Sequence, residues 1–231
     1  ALRAGIPRHV PALTVQRNCA SGLEAVMQAA RRIRAGEGEI YLVGGVENMS
    51  RVPLLFPHSA AVKLGALSRA RSLTARLAAL ARLRPADFRP RAALKLGLTD
   101  PVSGLNMGET AERLAREGEI SREAQDAFAL RSHRRAVAAR EKLADEITPV
   151  YLPDGGVVTE DNGPRANQTM EALAKLKPVF DRRYGSVTAG NASQITDGAV
   201  ALLVMSARKA ETLGYRPLGR LVDAVAIGCD P

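Results

Sequence analysis

Cys19 stands in the run VQRNCASGLEAV, Val15–Val26, between an apolar stretch and the first residues of a helical pattern. A thiol attacks as its thiolate, and the start of a helix, with its unpaired N–H groups and positive dipole end, favours that form. The same amides can hold the oxyanion formed when a thiolate adds to a carbonyl carbon. Ala20, Ser21 and Gly22 are small enough to let that carbonyl approach the backbone. The chemistry expected of such a turn is acyl transfer through a thioester. The competing reading is an inert buried thiol, the commoner state of a free cysteine. Metal chemistry has little to work with: the histidines are His9, His58 and His133, and Cys19 and Cys229 have neither zinc spacing nor the number for a disulfide framework.

Several elements must position Cys19. Val10 to Val15 predicts a strand, and from Ser21 the residues Leu23, Val26, Met27, Ala30 and Ile33 recur at helical spacing until Gly36. IYLV at 40–43, followed by Gly44-Gly45, predicts a buried strand and completes a strand–helix–strand unit of the parallel-sheet type. Residues 51–105 carry Pro53, Pro57, Pro85, Pro90 and Pro101 and form an irregular excursion. Helices are expected over about 108–117, from the N-cap Ser121 to about Leu143, and briefly near 169–176, with a turn-rich LPDGGVVTEDNGP at 152–164. GAVALLVMS at 198–206 predicts a second buried strand, Ser206 caps a helix ending at Gly214, and LGRLVDAVAIG at 218–228 predicts a further strand.

The 231 residues are 46% hydrophobic and 25% charged, the balance of an ordinary soluble protein, so a sizeable core in one large or two modest domains is expected, and the strand–helix–strand pattern makes the fold class α/β. The longest apolar run, AVALLVMSA at 199–207, is far short of the roughly 20 residues of a membrane helix, and no leader pattern opens the chain. The expectation is a cytoplasmic chain. Of the net charge of +9, nine basic residues between Lys63 and Lys95, set against the one acid Asp87, supply +8. Such a run suits nucleic acid, but it holds one aromatic, Phe88, and no nucleic-acid motif, so no nucleic-acid partner is expected.

The segment NCASGLEAV resembles the acyl-enzyme signature of the thiolases. VGGVENMSRVP at 43–53, NMGETAERLA at 106–115 and VTAGNASQITDGAVALLVMS at 187–206 resemble further thiolase segments in the family's order. The resemblance implies the layered α/β/α/β/α thiolase fold of two βαβαβ halves. Residues 1–50 would be part of the first half, 51–184 a loop domain over coenzyme A, 185–205 the return strand, and 206–231 the start of the second half. It makes Cys19 the nucleophile, and coenzyme A a substrate with no metal or other cofactor. It sets Ser193 beside the pantetheine arm and Phe180 on the coenzyme, one residue off the commonest spacing. Some short-chain thiolases have a histidine where this chain has Asn106. Asn106 is therefore read as a substrate-side or turn residue, and Met107 as lining the acyl site.

The family's Asn-Glu-Ala-Phe, Gly-His-Pro and Cys-x-Gly motifs are not found before the closing GCDP, and neither Cys229 nor any histidine matches them. The expectation is an internal portion of a longer thiolase, inactive alone. The reaction implied is thiolytic cleavage of 3-ketoacyl-CoA in fatty-acid β-oxidation. The alternatives are a biosynthetic acetyl-CoA C-acetyltransferase and a catalytically incomplete coenzyme A-binding homologue; a β-ketoacyl synthase fits the motifs less well.

The basic run has three readings: a solvated face, an attractor of coenzyme A phosphates, or an amphipathic surface helix around LSRARSLTARLAALARLR. In the last, Leu73, Leu77 and Leu80 share a side on which Arg84 also falls. With EALAKLKPVFDRRYG and ITDGAVALLVMS, the insert is similar to the β subunits of trifunctional fatty-acid oxidation complexes. That likeness implies a peripheral membrane contact through 63–95 or a hydratase/dehydrogenase α subunit, medium- to long-chain substrates, and a homo-oligomer.

Overall fold

The computed structural model describes every residue from Ala1 to Pro231. In chain order the elements are α1 (Ser21–Arg34), β1 (Ile40–Asn48), β2 (Leu54–Leu55), α2 (His58–Arg69), α3 (Leu73–Leu80), β3 (Arg91–Ala92) and α4 (Ala93–Gly97). They continue as α5 (Met107–Glu117), α6 (Arg122–Ala138), α7 (Arg140–Ala144), β4 (Val150–Tyr151), β5 (Val157–Val158), α8 (Met170–Ala174), β6 (Asp197–Met205) and α9 (Ala207–Thr212). The chain folds as two compact units, Ala1–Arg51 with Thr196–Asp230, and Val52–Ile195.

The first unit is a helix laid on a two-stranded ribbon. α1 buries Glu24, Met27 and Ala29, and it ends where Gly36 turns the chain at φ +76°. β1 pairs with β6 over nine residues, from Ile40 opposite Met205 to Asn48 opposite Asp197. The pairing is antiparallel, which corrects the parallel unit expected from the sequence: the partner of IYLV arrives from 197–205 and not from 10–15. Residues 10–15 and 218–228 form no strand, because a β-branched run becomes one only when a neighbour takes its N–H and C=O groups. Their apolar side chains stay outside, with Leu13 68% and Val222 80% exposed.

Local rules set the helices of the second unit. Asn106 accepts hydrogen bonds from the amides of Gly108 and Glu109 while the Glu109 carboxylate takes the Asn106 N–H, so α5 starts on a capping box. Ser121 caps α6 through the Ala124 amide, and by the same rule Ser206 caps α9 of the first unit through the Lys209 amide. The helix expected from Ser121 to Leu143 breaks at Ala139 and resumes as α7. The turn-rich stretch closes a hairpin in which β4 pairs with β5 around Gly155 at φ +87°.

The basic insert is not one amphipathic helix. It breaks at Ala70–Ser72, where Ser72 Oγ caps α3, and Arg84 lies beyond the helix end. Asp87 knits the insert together: its buried carboxylate accepts from Lys63 Nζ at 2.7 Å, Ser59 Oγ at 2.8 Å and the Arg84 amide at 2.8 Å. These donors, Lys63 foremost, then the Arg84 amide and Ser59, lower the Asp87 pKa from 3.8 to about 2. No helix is long and apolar enough to cross a membrane.

Candidate active site

The turn before α1 presents Cys19 to solvent, which sets aside the buried-thiol reading. Asn18, the residue before it, has φ +45°, a left-handed conformation that costs a non-glycine residue energy and is tolerated best by Asn. Hydrogen bonds close the turn: the amides of Ala20 and Ser21 donate to the carbonyls of Arg17 and Asn18. Ser21 Oγ stitches the same residues, donating to Asn18 O at 2.7 Å and accepting from Arg17 N at 2.8 Å. Sequence reasoning valued Ser21 only for its size. The available signal was a hydroxyl at the first helical position, three residues after an Asn.

Further contacts hold this turn on the unit. Arg17 Nε lies 3.2 Å from the buried Glu24 carboxylate, which also accepts from Gln28 Nε2 at 2.7 Å. A Cβ added to Gly45 of β1 would stand 3.4 Å from Gly22 Cα, so the helix start and the strand meet glycine on glycine. The amides of Gly22 and Leu23 take no acceptor from the chain. An exposed thiol beside such amides has the parts that addition to a carbonyl requires.

Asn106, Met107, Phe180 and Ser193 stand on the second unit. Phe180 packs its ring on Gly108, so closely that a Cβ there would overlap the ring. Phe180 thereby joins the α5 start that Asn106 caps and Met107 opens, and both Phe180 and Met107 keep a solvent face, 39% and 48% exposed. The capping box occupies Asn106 Oδ1. Ser193 is exposed, and its hydroxyl makes only a 3.5 Å contact with Gln194 O. The structure thus brings Asn106, Met107 and Phe180 together and leaves Ser193 on the loop that follows.

A cleft of about 580 Å³ opens beside Phe180, with Arg113, Arg116, Arg182 and Arg183 among its lining residues. Asp181 in its wall accepts from Arg116 Nη1 at 3.1 Å. The amides of Tyr184 and Arg183, then Arg116, hold the Asp181 carboxyl below its ordinary value. The arginine cluster escaped sequence reasoning because Arg113 and Arg116 lie about 70 residues from Arg182 and Arg183 along the chain.

A buried polar network lies under the segment before Ser193. Glu112, 2% exposed, accepts from the amides of Ser186 and Val187 at 2.8 Å and 2.9 Å and from Ser186 Oγ at 3.2 Å. Asn191 Oδ1 accepts from Thr188 N at 2.7 Å, and Asn191 Nδ2 donates to Asp126 Oδ1 at 2.9 Å and Ser186 O at 3.1 Å. Arg122 closes the set, donating to Asp126 at 2.8 Å and to the carbonyls of Leu173 and Leu176. Glu112 and Asp126 lie in helical stretches where a carboxylate reads as solvated, so the sequence carried no sign of them.

Comparison with known proteins sets this geometry in a family. Residues 1–208 match the family model described as thiolase, N-terminal domain. The chain is 42% identical over its full length to an acetyl-CoA acetyltransferase of Pseudomonas aeruginosa, covering 55% of that protein. It is 41% identical over 95% of its length to a 3-ketoacyl-CoA thiolase of Yersinia enterocolitica, covering 50% of it. Among solved structures, the acetyl-CoA acetyltransferase of Bacillus anthracis superposes with a TM-score of 0.76 at 39% identity, over 94% of this chain and 51% of the other. Human mitochondrial 3-ketoacyl-CoA thiolase, solved in complex with CoA, gives a TM-score of 0.74 at 33% identity over 94% of this chain and 50% of the other. The chain therefore spans about half the length of the relatives it matches. The exposed cysteine at a helix start, the α/β fold and these matches together make the chain a member of the thiolase family.

Proposed function

We propose that these residues carry the nucleophile and part of the coenzyme A site of an acetyl-CoA C-acyltransferase that cleaves 3-ketoacyl-CoA. The observation that carries the reading is Cys19, exposed on a strained turn at the start of α1. The Cys19 thiolate adds to the C3 ketone of the substrate, and the C2–C3 bond breaks with its electron pair passing to C2. A proton, which the family likeness assigns to the cysteine of a Cys-x-Gly motif, completes acetyl-CoA. The acyl group remains as a thioester on Cys19, and the thiolate of a second coenzyme A takes it, returning Cys19 as thiolate. The Gly22 and Leu23 amides are suited to the oxyanion of either addition.

On the second unit, Ser193 is read as facing the pantetheine arm, Phe180 as packing on the coenzyme, and Met107 with Asn106 as bordering the acyl group. Coenzyme A serves as substrate, with no further cofactor. A role in β-oxidation, a homo-oligomer, a hydratase/dehydrogenase partner and a cytoplasmic location with peripheral membrane contact through 63–95 complete the reading. The exposed Leu73, Leu77 and Leu80 of α3, beside basic residues, favour that membrane contact. The reverse, biosynthetic condensation is the second reading, favoured by the relatives named acetyl-CoA acetyltransferase.

The test is intact mass after brief exposure to a 3-ketoacyl-CoA or acetyl-CoA. The whole polypeptide to which these residues belong is expected to gain one acyl group, Cys19→Ser none, and the 231 residues alone none. An unmodified wild type that still binds coenzyme A would replace the enzyme reading with a coenzyme-binding homologue.

A further inference from the structure

We propose that Glu112 is a positioning residue: from the middle of α5 its carboxylate grips the backbone of Ser186 and Val187 and thereby sets the segment that delivers Ser193. The inference rests on the reading of Ser193 as a coenzyme A contact. A carboxylate only 2% exposed is costly unless hydrogen-bond donors surround it, and here two successive amides and a hydroxyl of one segment do so. The grip is close enough to dictate a glycine, since a Cβ on Gly185 would overlap Glu112 Oε1 and the Asp181 carbonyl. Downstream, Gly190 seats on Leu173 and Leu176, where a Cβ would come within 2.6 Å of both side chains. Asn191 is tied to Asp126 at 2.9 Å. The backbone is thus fixed at Ser186–Val187 and again at Gly190–Asn191, two residues before Ser193. Ser193 itself is exposed with its hydroxyl scarcely engaged, so its place is set by its neighbours and not by its own contacts.

The same two anchors tie the segment to α5 and α6, and α5 also carries Met107 and the Gly108 on which Phe180 packs. One helix therefore sets, by its own residues, three of the positions read as facing the coenzyme or its acyl group. A shift of the 186–193 backbone by even an ångström would misplace the serine relative to the aromatic.

The experiment compares wild type, Glu112→Gln and Gly185→Ala in the whole polypeptide, well below the melting temperature of each. In Glu112→Gln the side-chain NH2 faces an amide donor where a carboxylate oxygen accepted one, at nearly unchanged volume; Gly185→Ala keeps the carboxylate and displaces it. Three quantities are read: the Kd for coenzyme A, the rate of Cys19 acylation at saturating acyl-CoA, and hydrogen exchange of the Ser186 and Val187 amides. Both variants are expected to weaken coenzyme A binding about tenfold and to speed exchange at those amides, while the saturated acylation rate changes less than about threefold. A residue that only supports the fold would lower the melting temperature and leave the Kd of the folded protein as it was. Unchanged Kd in Glu112→Gln beside a wild type that binds coenzyme A would overturn the inference. A wild type with no affinity for coenzyme A would instead overturn the reading of Ser193, and exchange at Ser186 and Val187 would still report whether Glu112 grips the segment.

Discussion

Asp87 shows how much one residue can organise. In the sequence it is the one acid among nine basic residues, and that isolation marks it out, yet composition cannot say which cation it meets. The fold selects Lys63 and adds Ser59 and the Arg84 amide. Because the folded carboxyl titrates at about 2 and the free one at 3.8, its stabilisation is present in full above about pH 4 and is lost as pH falls toward 2. Thermal unfolding should therefore separate wild type from Asp87→Asn near pH 7, with the variant melting lower, and the gap should close near pH 2. A gap that persisted there would show that the pairing is not what the variant loses. Asn106 and Ser21 carry the same lesson: their types announce caps and turns, which is what they do, whereas Glu112 looks like any helical glutamate until the 186–187 backbone is laid over it.

At the scale of elements, the pattern of apolar residues identified α1, β1, α5 and β6 to within a few residues, but the two strands expected to be buried keep most of their side chains exposed, Val43 being the buried residue of β1 and none of β6 being buried. It failed at 10–15 and 218–228, where strand-like residues find no partner, and it gave β1 the wrong neighbour. Gly44 records the true one. A Cβ there would lie 2.5 Å from the Val200 carbonyl oxygen, a backbone atom that cannot swing aside. Gly44→Ala should therefore cost about 1–3 kcal/mol, read as a lower denaturant midpoint of the first unit, as expected when a close-packed contact is overfilled. An unchanged midpoint would mean that β1 and β6 do not approach as described.

At the scale of the whole chain, the polypeptide leaves the first unit after Arg51 and returns at Thr196. Beside those two passages Ser50 donates to Asp197 twice, from its amide at 2.8 Å and from its hydroxyl at 2.5 Å. Ser50, by its hydroxyl and then its amide, holds the Asp197 carboxyl below its ordinary value. Asp197→Ala should free the adjoining ends of β1 and β6, raising amide exchange at 46–50 and 197–200 about tenfold while α5 and α6 keep their protection. Uniform loss of protection would show that the pair supports more than the strand ends. By itself the sequence determined the turn that holds Cys19, the helix caps and the family, because these depend on residue types at short spacing. The tertiary structure alone decided the antiparallel β1–β6 pairing, the partners of Asp87, the arginine-lined cleft and the grip of Glu112 on the 186–187 backbone. Apart from the Arg84 amide beside Asp87, each of these joins residues tens of positions apart, and no local periodicity encodes which distant donor will meet a given acceptor.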